Sequence, residues 1–153
     1  MKAVPHLNFY LDYTVSIFIV YRAQVLLVDH KQLKKWLPIG GHIELNEDPV
    51  SAALRETREE SGLDVELVGR TPPREFPGTT NLVAPAYLDI HDIAGEHRHL
   101  GMIYFARAVT DQVRLAVEEH NRIRWFSGAE LADPEWAVPD AIQFYASEAL
   151  KID

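Results

Sequence analysis

Apolar and polar positions along the first third of the chain predict a pair of buried strands. Residues 14–21 and 25–30 are runs of β-branched or apolar side chains, separated by Arg22-Ala23-Gln24. Apolar runs of this length, bounded by a turn, are typical of strands covered on both faces. We therefore predict a hairpin formed by Thr14–Tyr21 and Val25–His30. A polar turn over 31–35 should follow, and then a short extended piece, Trp36-Leu37-Pro38, before Gly40-Gly41.

Helical periodicity replaces the strand pattern after residue 48. Asp48 suits the N-cap, Pro49 the first helical position and Gly62 the C-cap. One stripe at helical spacing is predicted to be buried, namely Val50, Ala53, Leu54, Thr57 and Ser61. The sector beside it carries Glu56, Glu59 and Glu60, with Arg55 beyond Glu59. One face of this helix should therefore pack, and the next is placed to hold a ligand.

The later apolar blocks predict more strands and two further helical segments. Strands are expected over 65–68, 82–90, 100–109 and 123–126, with a proline-rich loop between the first two. Ser127 and Glu130 have capping-box spacing, which predicts a short helical turn, and 139–150 has the pattern of a C-terminal helix. Strands interspersed with helices indicate a mixed sheet between helical layers, in fold class α+β.

Composition and charge narrow the possible classes of function. The chain has 153 residues, 47% hydrophobic and 25% charged, which is typical of one globular domain spanning 1–153. The net charge of −8 argues against nucleic-acid polymers and anionic membranes as partners, because both favour basic surfaces. The absence of cysteine excludes disulfides, zinc–thiolate sites and cysteine nucleophiles. The N-terminus lacks a signal-peptide pattern and no apolar run is long enough to span a bilayer, so we expect a cytoplasmic protein.

The three glutamates on one helix face restrict the function most. Glu56 precedes Glu59 by three residues and Glu60 by four, so their carboxylates project from the same side. On an exposed helix each such like-charge pair costs only roughly 0.2–0.5 kcal/mol, so the cluster alone also fits a solvated face. The neighbouring glycines and Glu47 favour a divalent-metal site, whose cation would turn the repulsion into binding.

The spacing around this helix resembles the signature of the Nudix hydrolases. The matching residues are Gly41, Glu47, Arg55-Glu56, Glu59-Glu60 and Gly62-Leu63. The gaps between them are five, seven, two and one residues long, in that order. The preceding Trp36-Leu37-Pro38-Ile39-Gly40 is also typical of that family. Thr57 departs from the usual aliphatic residue, although its methyl group still packs. The resemblance implies a Nudix-type α/β/α sandwich with a mixed sheet.

Membership of that family implies hydrolysis of a nucleoside diphosphate linked to another group, with Mg²⁺ or Mn²⁺ as cofactor. Carried over to this chain, the metal ligands or their close neighbours would be Glu56, Glu59 and Glu60, with the carbonyl of Gly40 as a further ligand. Arg55 would brace the site by pairing with a carboxylate, for which Glu47 is preferred. The metal would neutralise the diphosphate and orient the water that attacks a phosphorus atom.

Many members of the family use a further carboxylate from a later loop, as general base or as an extra metal ligand. The candidates here are Glu118 and Glu119, which precede His120 and the strand predicted at Ile123. We prefer Glu119, and Glu118 stays as the second candidate. A solvated acidic turn without a catalytic role is the simpler alternative.

Other polar and aromatic residues have weaker signals. His97 and His99 are spaced to share a strand face, which would suit a metal or phosphate contact, but two histidines alone are more often surface or packing residues. His42 is interpreted as structural, and Glu44 as an exposed loop residue unless it shapes the site. The three tryptophans are expected in the core or at its rim: Trp36, Trp125 and Trp136.

Two alternatives to a pyrophosphohydrolase remain. A non-catalytic nucleotide-binding Nudix regulator would be expected to have lost box carboxylates, and an isomerase of the isopentenyl diphosphate kind to need a cysteine, so this chain disfavours both. Nucleoside triphosphates, ADP-ribose, nucleotide sugars and dinucleoside polyphosphates all stay open as substrates. Pro77 lies fifteen residues after Gly62, a spacing that weakly resembles the subgroup that cleaves ADP-ribose. No substrate-binding residue is predicted, and a homodimer is possible.

Overall fold

The protein is described here from a computed structural model, which covers residues 11–94 and 97–153. Its strands are β1 (Leu11–Tyr21), β2 (Gln24–His30), β3 (Lys35–Leu37), β4 (Ile39–His42), β5 (Val65–Val68), β6 (Tyr87–Ala94), β7 (His97–Ala108) and β8 (His120–Ser127). Its α-helices are α1 (Pro49–Ser61), α2 (Gly128–Ala132) and α3 (Asp140–Ala149), with 3₁₀ turns at Pro134–Trp136 and Leu150–Ile152. The first ten residues, on which the signal-peptide prediction rests, lie outside this description.

One mixed sheet of eight strands organises the fold, and β1 lies at its centre. The strand order is β3-β2-β1-β7-β5, while β4 also pairs with β1, β6 with β7 and β8 with β2. The pairing of β1 with β7 is parallel, whereas β1 runs antiparallel to β2 and β4. The predicted hairpin of β1 and β2 is confirmed, and its turn places Arg22 and Ala23 at positive φ, as tight hairpin turns require.

The continuous apolar run of β1 is explained by cores on both faces of the sheet. Phe18 and Val20 point into one cluster, which includes residues of α2 and α3, whereas Val15, Ile17 and Ile19 point into the other, beside α1. Because successive side chains of a strand alternate between faces, a strand buried on both sides needs an apolar residue at nearly every position. The predicted mixed sheet between helical layers is thus confirmed.

Several predicted strand boundaries differ from the structure. The strands predicted over 100–109 and 123–126 are found at His97–Ala108 and His120–Ser127. The strand predicted over 82–90 begins only at Tyr87 and continues to Ala94. Pro85 cannot donate to a strand ladder, which explains the irregular backbone before Tyr87. The glycine pair lies within β4, where Gly40 and Gly41 pair with Ser16 and Val15. A Cβ at Gly40 would lie only 2.2 Å from the carbonyl oxygen of Val15, so the strands meet this closely only with glycine.

Helix α1 has the predicted ends but a different buried face. Its C-cap, Gly62, has a φ of 73°, as expected for a left-handed terminus. Of the predicted stripe, Ala53, Thr57 and Ser61 are buried, but Val50 and Leu54 are only partly buried. Ala52 and Glu60, which were not predicted to belong to it, are buried instead. The stripe is rotated because α1 packs on both β1 and β4, which covers the side of the helix that carries Glu60.

No helix in the described part of the chain combines the length and the apolar content that crossing a membrane demands.

The N-cap of α1 gives a test of the fold. The Asp48 carboxylate accepts hydrogen bonds from the backbone N–H and the hydroxyl of Ser51, at 2.8 and 2.7 Å. We expect Asp48→Ala to lower the free energy of unfolding by about 1 kcal/mol, measured by urea denaturation. Asp64→Ala, which removes only an exposed pair with Arg58, is the matched control and should cost less. Equal losses in both variants would contradict the cap assignment.

Candidate active site and metal centre

The glycine pair of β4 brings the sheet backbone against the carboxylates of α1. A Cβ at Gly41 would lie 2.3 Å from Oε1 of Glu56, so the Glu56 carboxylate packs directly on the glycine backbone. The amide of Gly40 donates a long hydrogen bond of 3.4 Å to Oε1 of Glu60. Two glutamates of the helix therefore meet the strand at the point where the carbonyl of Gly40 was predicted to serve as a ligand.

Arg55 joins the carboxylates of this region through a fork of hydrogen bonds. Its Nε and Nη2 donate to the two carboxylate oxygens of Glu47, at 2.8 and 2.9 Å, so the predicted contact is present. Its Nη1 donates to Glu56 at 2.9 Å and to Glu59 at 3.2 Å. Hydrogen bonding to Arg55 holds the pKa of Glu47 below its usual value, and the same pairing raises the pKa of Arg55. One guanidinium thus faces three carboxylates, which leaves negative charge for a cation to neutralise.

The three glutamates of α1 lie in different environments. The side chain of Glu59 is 55% exposed, that of Glu56 is 12% exposed and that of Glu60 is 2% exposed. Burial raises the pKa of the Glu56 carboxyl to about 7; the hydrogen bond from Arg55 opposes this shift and the charge of Glu60 adds to it. Ionisation of both Glu56 and Glu60 is therefore unfavourable unless a cation neutralises their charge.

His120 is a member of the site that the sequence analysis missed. Its Nε2 lies 2.6 Å from Oε2 of Glu60, and both side chains are buried. Its Nδ1 is buried without a hydrogen-bond partner among the described residues. The ring of His30 packs against it at 5.5 Å between centroids, and burial, together with the charge of His120, lowers the pKa of His30. Its position directly after Glu119, at the start of a strand, was the available signal.

The loop before β8 brings Glu119 to the same place. Ligand atoms of Glu60, Glu119 and His120 all lie within 4.8 Å of one another. The loop is held by hydrogen bonds from the amide of Lys31 to the carbonyl of Glu119 and from the amide of Glu119 to the carbonyl of Ala116, both 3.1 Å. Glu118 and Glu119 also line an open pocket with His30, Lys31 and Gln32. The fold therefore places a second acidic segment beside α1, 59 residues along the chain from Glu60.

The donors present fit a hard divalent cation. Carboxylates of α1 and of the loop before β8 offer oxygen atoms, the ligands that Mg²⁺ and Mn²⁺ prefer. Glu60 is buried and Glu56 is largely buried, and Arg55 pairs with Glu47, Glu56 and Glu59. These residues thus match the chemistry that the sequence pattern indicated.

A family model described as the NUDIX domain matches residues 11–147, which include every residue of this site. The chain belongs to the Nudix hydrolase family.

Relatives of this Nudix hydrolase support that assignment. Bis(5'-nucleosyl)-tetraphosphatase (asymmetrical) from Sus scrofa is 28% identical over 134 residues, which are 82% of each chain. A Nudix-family hydrolase from Clostridium perfringens has 33% identity and a TM-score of 0.80, with 95% of this chain and 99% of that one covered. The MutT protein from Methanosarcina mazei Go1, at 17% identity and a TM-score of 0.70, shares the fold over 96% of this chain and 98% of that chain.

The remaining candidates divide between packing and a second cluster. Trp36 is 5% exposed and packs on Phe126, with 4.9 Å between ring centroids, as expected for a core residue. Trp136 adjoins the same core cluster and Trp125 the other. The side chain of Glu44 has no described contact in the site, although its amide donates to Glu47 at 3.1 Å. His42, His97 and His99 instead gather around Asp12, which the sequence analysis did not single out.

The environment of Glu56 predicts how stability depends on pH. Its pKa in the folded protein, about 7, exceeds the ordinary value of 4.5, so the folded state binds more protons within this window. Stability of the metal-free protein should therefore fall as pH rises from about 4.5 to 7, by up to roughly 3 kcal/mol from this group. In Glu56→Gln this contribution to the decrease in stability should be absent. The measurement is urea unfolding in the presence of chelator at about pH 4.5 and about pH 7.

Other titrating groups are common to the parent and the variant, so the difference between their two pH dependences isolates Glu56. Glu59→Gln is the matched control, because Glu59 is exposed and should leave the pH dependence close to that of the parent. Identical pH dependences for the parent and Glu56→Gln would show that Glu56 titrates normally.

Proposed function

We propose that this Nudix hydrolase is a divalent-cation-dependent pyrophosphohydrolase that cleaves a nucleoside diphosphate linked to another group. The observation that carries the proposal is the convergence of Glu60, on α1, with Glu119, on the loop before β8. If α1 were only a solvated acidic helix, nothing would explain why a second acidic segment, distant along the chain, lies beside it. Two such segments around a glycine strand suit a cation and the phosphate groups it binds.

The proposed metal ligands are Glu56, Glu59, Glu60 and the carbonyl oxygen of Gly40, with Glu119 as a supplementary ligand or general base. When bound, Mg²⁺ or Mn²⁺ supplies charge neutralisation of the diphosphate and a position for the attacking water. Of the three helix carboxylates, Glu59 is the most exposed, and it stays within reach of Arg55. Its proposed place is therefore at the solvent side of the centre.

The side chains of the protein supply orientation and a proton acceptor. Arg55 fixes Glu47 and Glu56 through charge-assisted hydrogen bonds, which hold the carboxylates in place when no substrate is bound. His120 positions Glu60 through the 2.6 Å contact. In the reaction, a bond forms between the water oxygen and phosphorus, the bridging oxygen–phosphorus bond breaks, and the water proton passes to a carboxylate. Glu119 is the proposed acceptor, and Glu56 or Glu59 is the alternative.

The proposed first substrate is a bis(5'-nucleosyl) tetraphosphate. The support is the similarity to the bis(5'-nucleosyl)-tetraphosphatase of Sus scrofa, which extends over 82% of both chains. Nucleoside triphosphates, ADP-ribose and nucleotide sugars contain the same diphosphate unit and belong in the same test. A non-catalytic regulator would bind nucleotide without turnover.

Activity on a nucleotide panel tests the proposal directly. We expect hydrolysis of the tetraphosphate in the presence of Mg²⁺ to give two nucleotides whose phosphates sum to four, identified by mass. Activity should disappear with chelator, and Mg²⁺ should raise the melting temperature because the cation binds the folded state preferentially. Hydrolysis that persists unchanged in metal-stripped protein would refute the metal requirement. Nucleotide binding without turnover of any panel member would favour the regulator.

The role of the late carboxylate can be tested with adjacent residues. We expect Glu119→Gln to lower kcat about a hundredfold, with KM largely unchanged, because a general base or supplementary ligand acts in the transition state. Glu118→Gln is the matched control and should keep kcat near that of the parent. Steady-state kinetics on the substrate that the panel identifies give both parameters. Parental kcat in both variants would move the base to Glu56 or Glu59.

A further inference from the structure

Four histidines of the described residues lie together on strands β4, β6 and β7, namely His42, His91, His97 and His99. His99 on β7 is the cross-strand partner of Asp12 on β1 and of His91 on β6. His97, two residues before His99, lies on the same face of the strand, because side chains alternate. His42 enters the group from the end of β4, where it pairs with Thr14. Register, rather than proximity along the chain, therefore assembles these imidazoles.

One carboxylate oxygen is the centre of this histidine cluster. Oδ2 of Asp12 lies 2.7 Å from Nε2 of His97, 3.2 Å from Nε2 of His42 and 4.0 Å from Nε2 of His99. Ligand atoms of Asp12, His42 and His99 all lie within 4.8 Å of one another. In a tetrahedral site with metal–nitrogen distances of about 2.0 Å, neighbouring ligand atoms are about 3.3 Å apart. Small side-chain movements would bring these three donors to that spacing.

The side chains of the cluster determine the charge and the kind of ion that it could bind. The carboxylate of Asp12 at its centre repels phosphate and other anions, whereas it attracts a cation. Imidazole nitrogens suit the later first-row divalent metals, while Mg²⁺ prefers oxygen. The side chains of His42 and Asp12 are 57% and 37% exposed, so an ion can reach them from solvent.

We propose that Asp12, His42 and His99 form a second metal site, selective for a borderline divalent cation such as Zn²⁺, Co²⁺ or Ni²⁺. Two histidines and one carboxylate supply three protein ligands and leave the remaining positions for water or another ligand. The proposal goes beyond the hydrolase function proposed above and does not depend on it.

Neighbouring groups hold the donors in place, as partners of metal ligands commonly do. His97 contacts Asp12 at 2.7 Å and so orients its carboxylate. Nδ1 of His91 lies 2.8 Å from Oδ1 of Asp89. The hydroxyl of Tyr145 donates a 2.7 Å hydrogen bond to the other carboxylate oxygen of Asp89. The ring of His91 then packs on that of His99 with 5.4 Å between centroids. A Cβ at Gly101 would lie 2.9 Å from Oδ1 of Asp89, so glycine leaves room for this arrangement.

The second site is chemically distinct from the glutamate centre but is joined to it through His42. The side chain of His42 belongs to the histidine cluster, whereas its carbonyl oxygen accepts a 3.0 Å hydrogen bond from Nη2 of Arg55. An ion held by His42, Asp12 and His99 would bind β4, β1 and β7 together beside the active-site strand. Binding of the ion should therefore stabilise the folded state.

Titration of the untagged, metal-stripped protein with Co²⁺ tests the proposal. Excess Mg²⁺ is included to occupy the oxygen-ligand centre, and binding is followed by calorimetry and by the visible spectrum of Co²⁺. We expect one Co²⁺ per chain with a nitrogen-ligated spectrum, and a rise in melting temperature. His42→Gln and His99→Gln should each weaken this binding at least about tenfold.

His30→Gln is the matched control, because it removes a histidine beside the glutamate centre and should leave Co²⁺ binding unchanged. Absence of Co²⁺ binding to the parent, or parental affinity in His42→Gln, would overturn the proposal. Loss of binding in His30→Gln alone would also overturn it, since the ion would then lie at the other centre. Should His99→Gln fail to fold in chelator, the more exposed His42→Gln decides the outcome.

Discussion

The hydrogen bonds of Arg55 are the interaction on which the arrangement of the active site depends. Its guanidinium reaches the carboxylates of Glu47, Glu56 and Glu59 and the carbonyl of His42. These partners belong to the loop before α1, to α1 itself and to β4, so one side chain links three segments. A planar guanidinium can do this because its donors point outward in a fixed fork. Three carboxylates around one guanidinium also leave excess negative charge, which the proposed cation would neutralise.

The buried pair of Glu60 and His120 connects α1 to the start of β8. A carboxylate that is 2% exposed is costly unless it is hydrogen-bonded, and the imidazole of His120 meets that need. The contact also fixes the start of β8 against α1 and brings Glu119 with it. The contact that satisfies the buried carboxyl group of Glu60 therefore also holds the late acidic segment beside α1. This connection explains why a helix and a distant loop meet at one place.

The two proposed metal sites lie beside one sheet and differ in the type of ligand atom that they offer. The proposed hydrolytic centre offers oxygen atoms around a glycine strand, whereas the histidine cluster offers imidazole nitrogens around one carboxylate. Because ligand type rather than net charge separates Mg²⁺ from Zn²⁺-like ions, the two places need not compete for the same cation. His42 lies at the junction, with its backbone in one network and its side chain in the other.

The sequence by itself determined the family, the class of fold, the ends of α1 and the contact of Arg55 with Glu47. Each of these depends on local spacing, since caps and helical faces follow from residues a few positions apart. The burial of Glu60, the place of His120 and the gathering of histidines around Asp12 depended on tertiary structure. In each case strand register or packing brings together residues that are remote along the chain, such as Asp12 and His99. Spacing within one segment does not show which strands pair with each other, so only the folded sheet decided which of these side chains meet.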